Sequence, residues 1–157
     1  MSSPAKIIDP AGKDHRTFVD ALGRTVKTVA NYTGSGAISA LTPDENVTVE
    51  MTYHSSGQIL TLTAKNPTTG DQVTRYVYGS AKSWQTPMID RNDMLAAEIY
   101  PDSTNFEDSF GVLQNGTGGI VDRVEFLYNH LGERIAKRDQ NGTVHEIRVR
   151  QSRSAFA

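Results

Sequence analysis

Apolar and polar residues alternate along several short segments of the chain. The clearest segment is residues 47–54, where Val47, Val49, Met51 and Tyr53 are separated by polar or charged residues. Successive side chains of a β-strand point to opposite sides of its sheet, so this pattern predicts a strand with one buried face. Residues 123–128 repeat the alternation with one exception. Residues 73–78 carry apolar groups on both sides, which indicates a sheet that is partly covered on its second face.

Six four-residue segments that end in glycine separate the predicted strands. Most of them begin with Asp, Asn or Pro, which favour the opening of a type I turn, and the closing glycine can adopt the left-handed conformation that such hairpins need. The sequence therefore predicts an all-β fold, an antiparallel meander or ribbon of β-hairpins, in which residues 46–79 form three antiparallel strands. The turn glycines are Gly12, Gly23, Gly57, Gly70, Gly132 and Gly142.

Other segments depart from this rhythm. Residues 30–45 and 101–119 are rich in turn-forming residues and are predicted to be long loops. Residues 93–98 combine a candidate helix cap with good helix formers, but the segment is short and its surroundings are β, so we expect a strand that runs to Tyr100. The last ten residues, 148–157, are expected to fray. The length of 157 residues predicts one domain, residues 1–157.

Composition excludes several classes of function. The 16 Lys and Arg against 18 Asp and Glu give a net charge of −2, which argues against a nucleic-acid partner. There is no Cys, which removes disulfides and thiolate chemistry. Leu, Ile, Val and Phe make up only about a fifth of the chain, so we expect a thin core. No apolar run is long enough for membrane insertion, and the first ten residues lack the apolar stretch of a secretory signal.

Common enzyme signatures are absent from the sequence. The glycine-rich runs fit neither a P-loop nor a dinucleotide-binding fingerprint, and there is no nucleophile elbow or metalloprotease helix motif. The four histidines are interpreted as surface residues, and the acidic residues between 90 and 108 as a solvated loop rather than a Ca²⁺ site, because their spacing does not match one. The sequence predicts no enzyme activity, no cofactor and no metal.

Aromatic residues give the one candidate binding surface. Their rings could stack against sugars, while neighbouring polar groups bond the sugar hydroxyls. The competing interpretation is structural, because a tyrosine at the end of a hairpin strand commonly packs across strands and bonds a nearby turn through its hydroxyl. The residues of this aromatic platform are Tyr53, Tyr76, Tyr78, Trp84, Tyr100 and Tyr128.

Internal similarity connects these features to a known family. Residues 53–57 and 128–132 share a Tyr-x-x-x-Gly frame followed by an apolar residue, and three units of about 25 residues would separate them. With residues 20–24, 74–78, 98–102 and 139–145, this frame resembles the YD repeat of Rhs proteins and teneurins over most of residues 9–147. The Asp of the Tyr-Asp pair is replaced by His54, Gly79 and Asn129.

The resemblance implies a scaffold rather than a catalyst. In that family the repeats form an open, curved β-ribbon that becomes a shell, which encloses a toxin or serves in cell-surface contact. A chain of about four such units would have further YD repeats or a toxin cargo domain as partners within a longer protein, located outside the cell or at its surface. The alternative is a stand-alone carbohydrate- or surface-binding β domain. Uncapped repeat ends would expose strand edges and favour self-association.

Overall fold

In a computed structural model, the described residues form twelve β-strands and a short 3-10 turn at Thr117–Gly119. The structure describes residues 4–34, 37–79, 91–108, 112–119 and 121–147. No α-helix occurs in these ranges. The all-β prediction is confirmed.

Ten of the strands form one antiparallel meander. Neighbours in this sheet are also neighbours along the chain, except that the seventh strand pairs with the tenth. A separate two-stranded hairpin, β8 and β9, lies between the seventh and eighth strands of this meander. In chain order the strands are β1 (Ala5–Ile8), β2 (Asp14–Val19), β3 (Thr25–Ala30), β4 (Val47–Tyr53), β5 (Ile59–Ala64), β6 (Gln72–Tyr78), β7 (Leu95–Ile99), β8 (Phe106–Glu107), β9 (Leu113–Gln114), β10 (Arg123–Tyr128), β11 (Arg134–Arg138) and β12 (Val144–Glu146).

The predicted three-stranded meander of residues 46–79 is present as β4, β5 and β6. Met51 lies opposite Leu62, and Leu62 in turn lies opposite Thr74. The turn before β6 begins one residue earlier than predicted, because the Gly70 N–H donates to the carbonyl of Asn66 rather than to that of Pro67. Residues 95–99 form the predicted strand, not the alternative helix.

The chain divides into two compact units, Met1–Arg75 and Tyr76–Ala157, and the single domain expected from its length stays a prediction. In the first unit only three of the described residues are fully buried, namely Val29, Asn46 and Thr48. Large apolar side chains such as Ile7 and Leu41 are exposed. This unit therefore relies on strand pairing and local turns more than on a closed apolar core.

The second unit has a denser core. Val77, Ala97, Ile99 and Leu113 form a buried apolar cluster that joins β6 and β7 to the β8–β9 hairpin. The chain between β7 and β10 thus folds back as an excursion, defined as residues 100–122, and supplies Leu113 to the core. The predicted loop 101–119 contains both short strands and the 3-10 turn.

Two further segments, 30–45 and 148–157, were predicted to be irregular. The predicted loop 30–45 follows the end of β3 and, in its described part, holds only an isolated bridge between Ser39 and Thr42. The predicted frayed tail, 148–157, lies outside the described residues, as does Trp84.

Candidate functional site

The predicted aromatic platform is distributed over both compact units. Tyr53 ends β4 in the first unit, whereas Tyr76, Tyr78, Tyr100 and Tyr128 belong to the second. The tyrosines differ in what their hydroxyls and rings contact, so we describe them in two groups.

Tyr53 and Tyr128 are held by equivalent contacts. The Tyr53 hydroxyl donates to the carbonyl of Thr25 at 2.5 Å, and the Arg24 guanidinium lies 4.5 Å from its ring centroid. The Tyr128 hydroxyl donates to the carbonyl of Leu95 at 2.9 Å. The Arg134 guanidinium lies 6.0 Å from the Tyr128 ring and 4.1 Å from that of Phe126. Both tyrosines therefore have the cross-strand packing of the structural interpretation.

Tyr76, Tyr78 and Tyr100 form the remaining group, which we call the tyrosine patch. All three are half-buried. Burial is the main cause that raises the pKa of each tyrosine, and the negative charge of Glu98 contributes in all three cases. The charge of the same carboxylate therefore acts on all three phenols, and their half-buried rings keep part of their surface open to solvent.

The hairpin turns share one geometry, which we call the repeated turn. It occurs with Asp9, Asp20, His54, Asn129 or Asp139 at its first position. The N–H of the first residue donates to the carbonyl four residues later, and the N–H of the glycine at the fourth position donates back to the first carbonyl, all at 2.9–3.0 Å. The five glycines have φ between 79° and 96°, the conformation that closes such a turn. Three of the hairpins, β2–β3, β4–β5 and β10–β11, have a β-bulge at the end of the first strand, next to the turn.

The first side chain reinforces four of these turns. Oδ1 of Asp9, Asp20, Asn129 or Asp139 accepts the N–H groups of the second and fourth residues that follow it, at 2.9–3.0 Å. The same side chain then binds a later one. Asp9 bonds His15 at 3.2 Å and Asp139 bonds His145 at 2.8 Å, whereas Asp20 accepts from Arg24 Nε at 2.7 Å.

These bonds favour the charged carboxylates. Hydrogen bonds from backbone N–H groups, led by that of Lys13 for Asp9 and of Arg24 for Asp20, hold the pKa of both carboxyls below the usual value. For Asp139 the bond from His145 is the largest cause of the lowered pKa. Within the described residues neither imidazole is hydrogen-bonded to a hydroxyl. The two Asp–His pairs therefore reinforce the turns that they close.

Asp108 and Val112 share part of the bonding of the repeated turn, which the sequence interpretation missed. The Asp108 N–H donates to the Val112 carbonyl at 3.0 Å, and its Oδ1 accepts the Val112 N–H at 3.0 Å. Its Oδ2 accepts from Gln114 Nε2 at 2.8 Å, six residues on, as in the Asp–His pairs. Residues 108–111 read Asp-Ser-Phe-Gly, the same signature as the other turns, although 109–111 lie outside the described residues.

A buried ion pair connects the excursion to the sheet. Arg123 is 1% exposed and Glu125 is fully buried, and the Arg123 Nε donates to Glu125 Oε1 at 2.6 Å. Arg123 Nη1 also donates to Asn105 Oδ1 and to the Gln114 carbonyl, both in the excursion. Arg138 on β11 reaches the other Glu125 oxygen at 3.4 Å. Alternation gave no signal for this network, because Asn105, Gln114 and Arg138 are distant in sequence from the residues that they bond.

The described part of the chain shows neither a metal-binding cluster nor a membrane-spanning helix. It contains no cluster of three or more His, Cys, Asp or Glu suited to a metal ion. None of its helices is long and apolar enough to cross a membrane. Comparison with known proteins found no family model that matches the chain and no match among curated proteins.

Proposed function

We propose that this chain is a non-enzymatic structural module, a segment of β-ribbon that acts as a scaffold. The observation that carries the proposal is the repeated turn. Five hairpins are closed by the same two backbone bonds, and four of them also by the same side-chain bonds. Reuse of one local device is typical of repeat proteins, in which each unit contacts its neighbours and the array supplies the function.

The buried residues support this proposal. In the first unit, Val29 and Thr48 are held between neighbouring strands, and few other described side chains are fully buried. The buried polar groups of the second unit, Arg123, Glu125 and Asn105, bond one another and connect strands to the excursion. Such groups stabilise a framework, and their burial denies them access to a substrate.

The larger context follows from the resemblance to YD repeats. We propose that the ribbon serves as part of a shell of the Rhs type, either around a toxin cargo domain or as a surface for cell contact. The Tyr-x-x-x-Gly frames support this view, because Tyr53 and Tyr128 make corresponding hydroxyl bonds to the carbonyls of Thr25 and Leu95.

The proposal is tested by a broad activity screen of the purified chain with esters, glycosides and phosphoesters. We expect no turnover. Turnover that is lost in His145→Ala but kept in His130→Ala, a histidine that occupies a turn without such a pair, would contradict the scaffold. It would show that the Asp139–His145 pair is catalytic.

A carbohydrate-binding surface is the second candidate function, and the tyrosine patch favours it. Stacking on Tyr76, Tyr78 or Tyr100 with a hydroxyl bonded to Glu98 would suit a neutral sugar. A glycan array followed by titration of any hit with Tyr100→Ala tests this candidate. We expect binding to weaken in Tyr100→Ala and to survive in Tyr53→Phe, which alters a tyrosine outside the patch; equal effects of both variants would contradict it.

A further inference from the structure

The outer edge of the meander begins with β1, whose four residues are all exposed. The Asp9 N–H donates to the Lys13 carbonyl across the first turn. Residues of an antiparallel pair alternate between those that exchange hydrogen bonds and those that do not, so Ile7 exchanges bonds with His15. The backbone groups of Lys6 and Ile8 consequently point away from β2. In the part of the chain that the structure describes, no strand pairs with this side of β1.

The last strand of the meander has the same property. The Ile147 N–H donates to the Ile135 carbonyl at 2.7 Å, and the Asp139 N–H donates to that of Thr143 at 2.9 Å. By the same alternation, the backbone groups of Val144 and Glu146 point away from β11. Among the described residues, β12 pairs with β11 alone.

We propose that β12 of one copy pairs antiparallel with β1 of a second copy, so that the ribbon continues from chain to chain. One register brings the outward backbone groups together, with Lys6 opposite Glu146 and Ile8 opposite Val144. This register places a positive side chain against a negative one and an apolar side chain against another. Directly opposite pairs of these kinds stabilise antiparallel sheets, whereas like charges destabilise them.

Exposure supports the same partner. Ile8 is 51% exposed and Val144 46% exposed, so each apolar side chain would gain burial in the joint. The Lys6 side chain is 54% exposed, and its ammonium forms an ion pair with Asp14 at 3.5 Å, so in the joint it would lie between two carboxylates. Natural sheets protect edges with short strands, charged residues, proline or bulges, and β1 and β12 are short strands that carry Lys6 and Glu146. Neither β1 nor β12 contains proline, and no bulge interrupts their pairing with β2 and β11.

The joint uses two different surfaces, so it leads to closed rings where the rotation between copies closes and to open chains where it does not. The inference deepens the proposed scaffold by naming a second copy as the partner. The joint can be wrong while the scaffold function is right. A chain that stays monomeric and shows no turnover would exclude the joint and would agree with the scaffold.

Charge exchange tests the joint with the full chain, by sedimentation velocity over a concentration series. Lys6→Glu and Glu146→Lys each place like charges opposite one another, and we expect each to weaken self-association by roughly fivefold. An equimolar mixture of the two variants restores opposite charges at every joint and should recover association, as should the double variant. A role of Lys6 that was confined to its own fold would not be rescued by a second chain.

A backbone variant supplies an independent test. Ile8→Pro removes an outward N–H that β2 does not use, and proline is tolerated at the edge of a sheet, so we expect a folded chain with weaker association. Leu22→Ser is the matched control, since Leu22 is 77% exposed in a turn and should not affect the joint. A monomer at all concentrations, or failure of the mixed variants to associate, would overturn the proposal.

Discussion

Asn46 shows how much one side chain contributes to the first unit. It is 2% exposed, and its amide serves three bonds: Oδ1 accepts from the Thr33 N–H at 3.0 Å, and Nδ2 donates to Thr33 Oγ1 and the Ala37 carbonyl at 2.8 and 2.9 Å. Its φ of 52° lies in the left-handed region, which Asn tolerates better than most residues. Asn46 therefore fixes the segment between β3 and β4.

Replacement of Asn46 by Asp tests this role. The change removes both Nδ2 donors and buries a carboxylate, so we expect a loss of roughly 2–3 kcal/mol in the free energy of unfolding, measured by urea denaturation. Asn31→Asp is the matched control, because Asn31 has a similar φ of 50° but donates a single side-chain bond, to the Asp44 carbonyl. Equal losses in both variants would contradict the assigned network.

The turn carboxylates give a second prediction at this scale. The pKa of Asp139 is lowered from the ordinary value of 3.8, mainly by the bond from His145, so folding favours its charged form. The resulting stabilisation is present above the unfolded value and is lost as the pH falls through the lower, folded pKa. The same direction holds for Asp9 and Asp20.

The expected outcome is a chain whose unfolding free energy falls as the pH drops below about 4, with a smaller fall in Asp139→Asn. Asparagine keeps the Oδ1 acceptor, as Asn129 does in its own turn. Denaturant titrations at a series of acidic pH values measure the slope. An unchanged slope in Asp139→Asn would show that this carboxylate contributes no pH dependence.

Sequence was informative for the turns and uninformative for Asn46. An Asp or Asn three residues before a glycine is a local signal, and its bonds reach only a few residues along the chain. Asp108 carried the same signal and could have been identified from it. Asn46 contacts Thr33 and Ala37 across a segment without periodicity, so only the folded chain brings the groups together.

At the scale of elements, the excursion departs most from expectation. Its composition predicted a loop, and its strands, β8 and β9, have two residues each, too few for alternation to be visible. What orders it is the contact of Arg123 with Asn105 and the Gln114 carbonyl. By contrast, β4, β5 and β6 were predictable because each has six or seven residues and a clear turn beside it.

Arg123→Met tests how the excursion is held. It leaves the buried Glu125 carboxylate with only its longer, 3.4 Å contact to Arg138, and we expect a loss of about 3–5 kcal/mol in unfolding free energy, with faster amide exchange at Leu113 and Gln114. The double variant Arg123→Met with Glu125→Leu removes the stranded charge and should regain part of the stability. Arg138→Met, which alters only the longer 3.4 Å contact, is the milder control. A larger loss in Arg138→Met than in Arg123→Met would contradict this account.

At the scale of the whole molecule, the all-β meander followed from alternation and turn chemistry. The division into two units did not, because its boundary lies inside β6, a strand whose sequence continues without interruption. The aromatic platform was predicted as one set of six residues. Tyr53 belongs to the first unit, and the hydroxyls of Tyr53 and Tyr128 bond backbone carbonyls, so the tyrosine patch is the part of the platform that we consider for binding.

A ribbon with open edges at β1 and β12 can be checked by residue-resolved hydrogen exchange of the dilute, full-length chain. We expect slow exchange at Ile7 and Ile147, whose N–H groups point into the sheet, and fast exchange at Lys6, Ile8, Val144 and Glu146. In the interior strand β4, the N–H groups on both sides of the strand should exchange slowly. Uniformly slow exchange along β1 and β12 in the dilute monomer would show that the chain covers its own edges, and a ribbon with open edges would then be wrong.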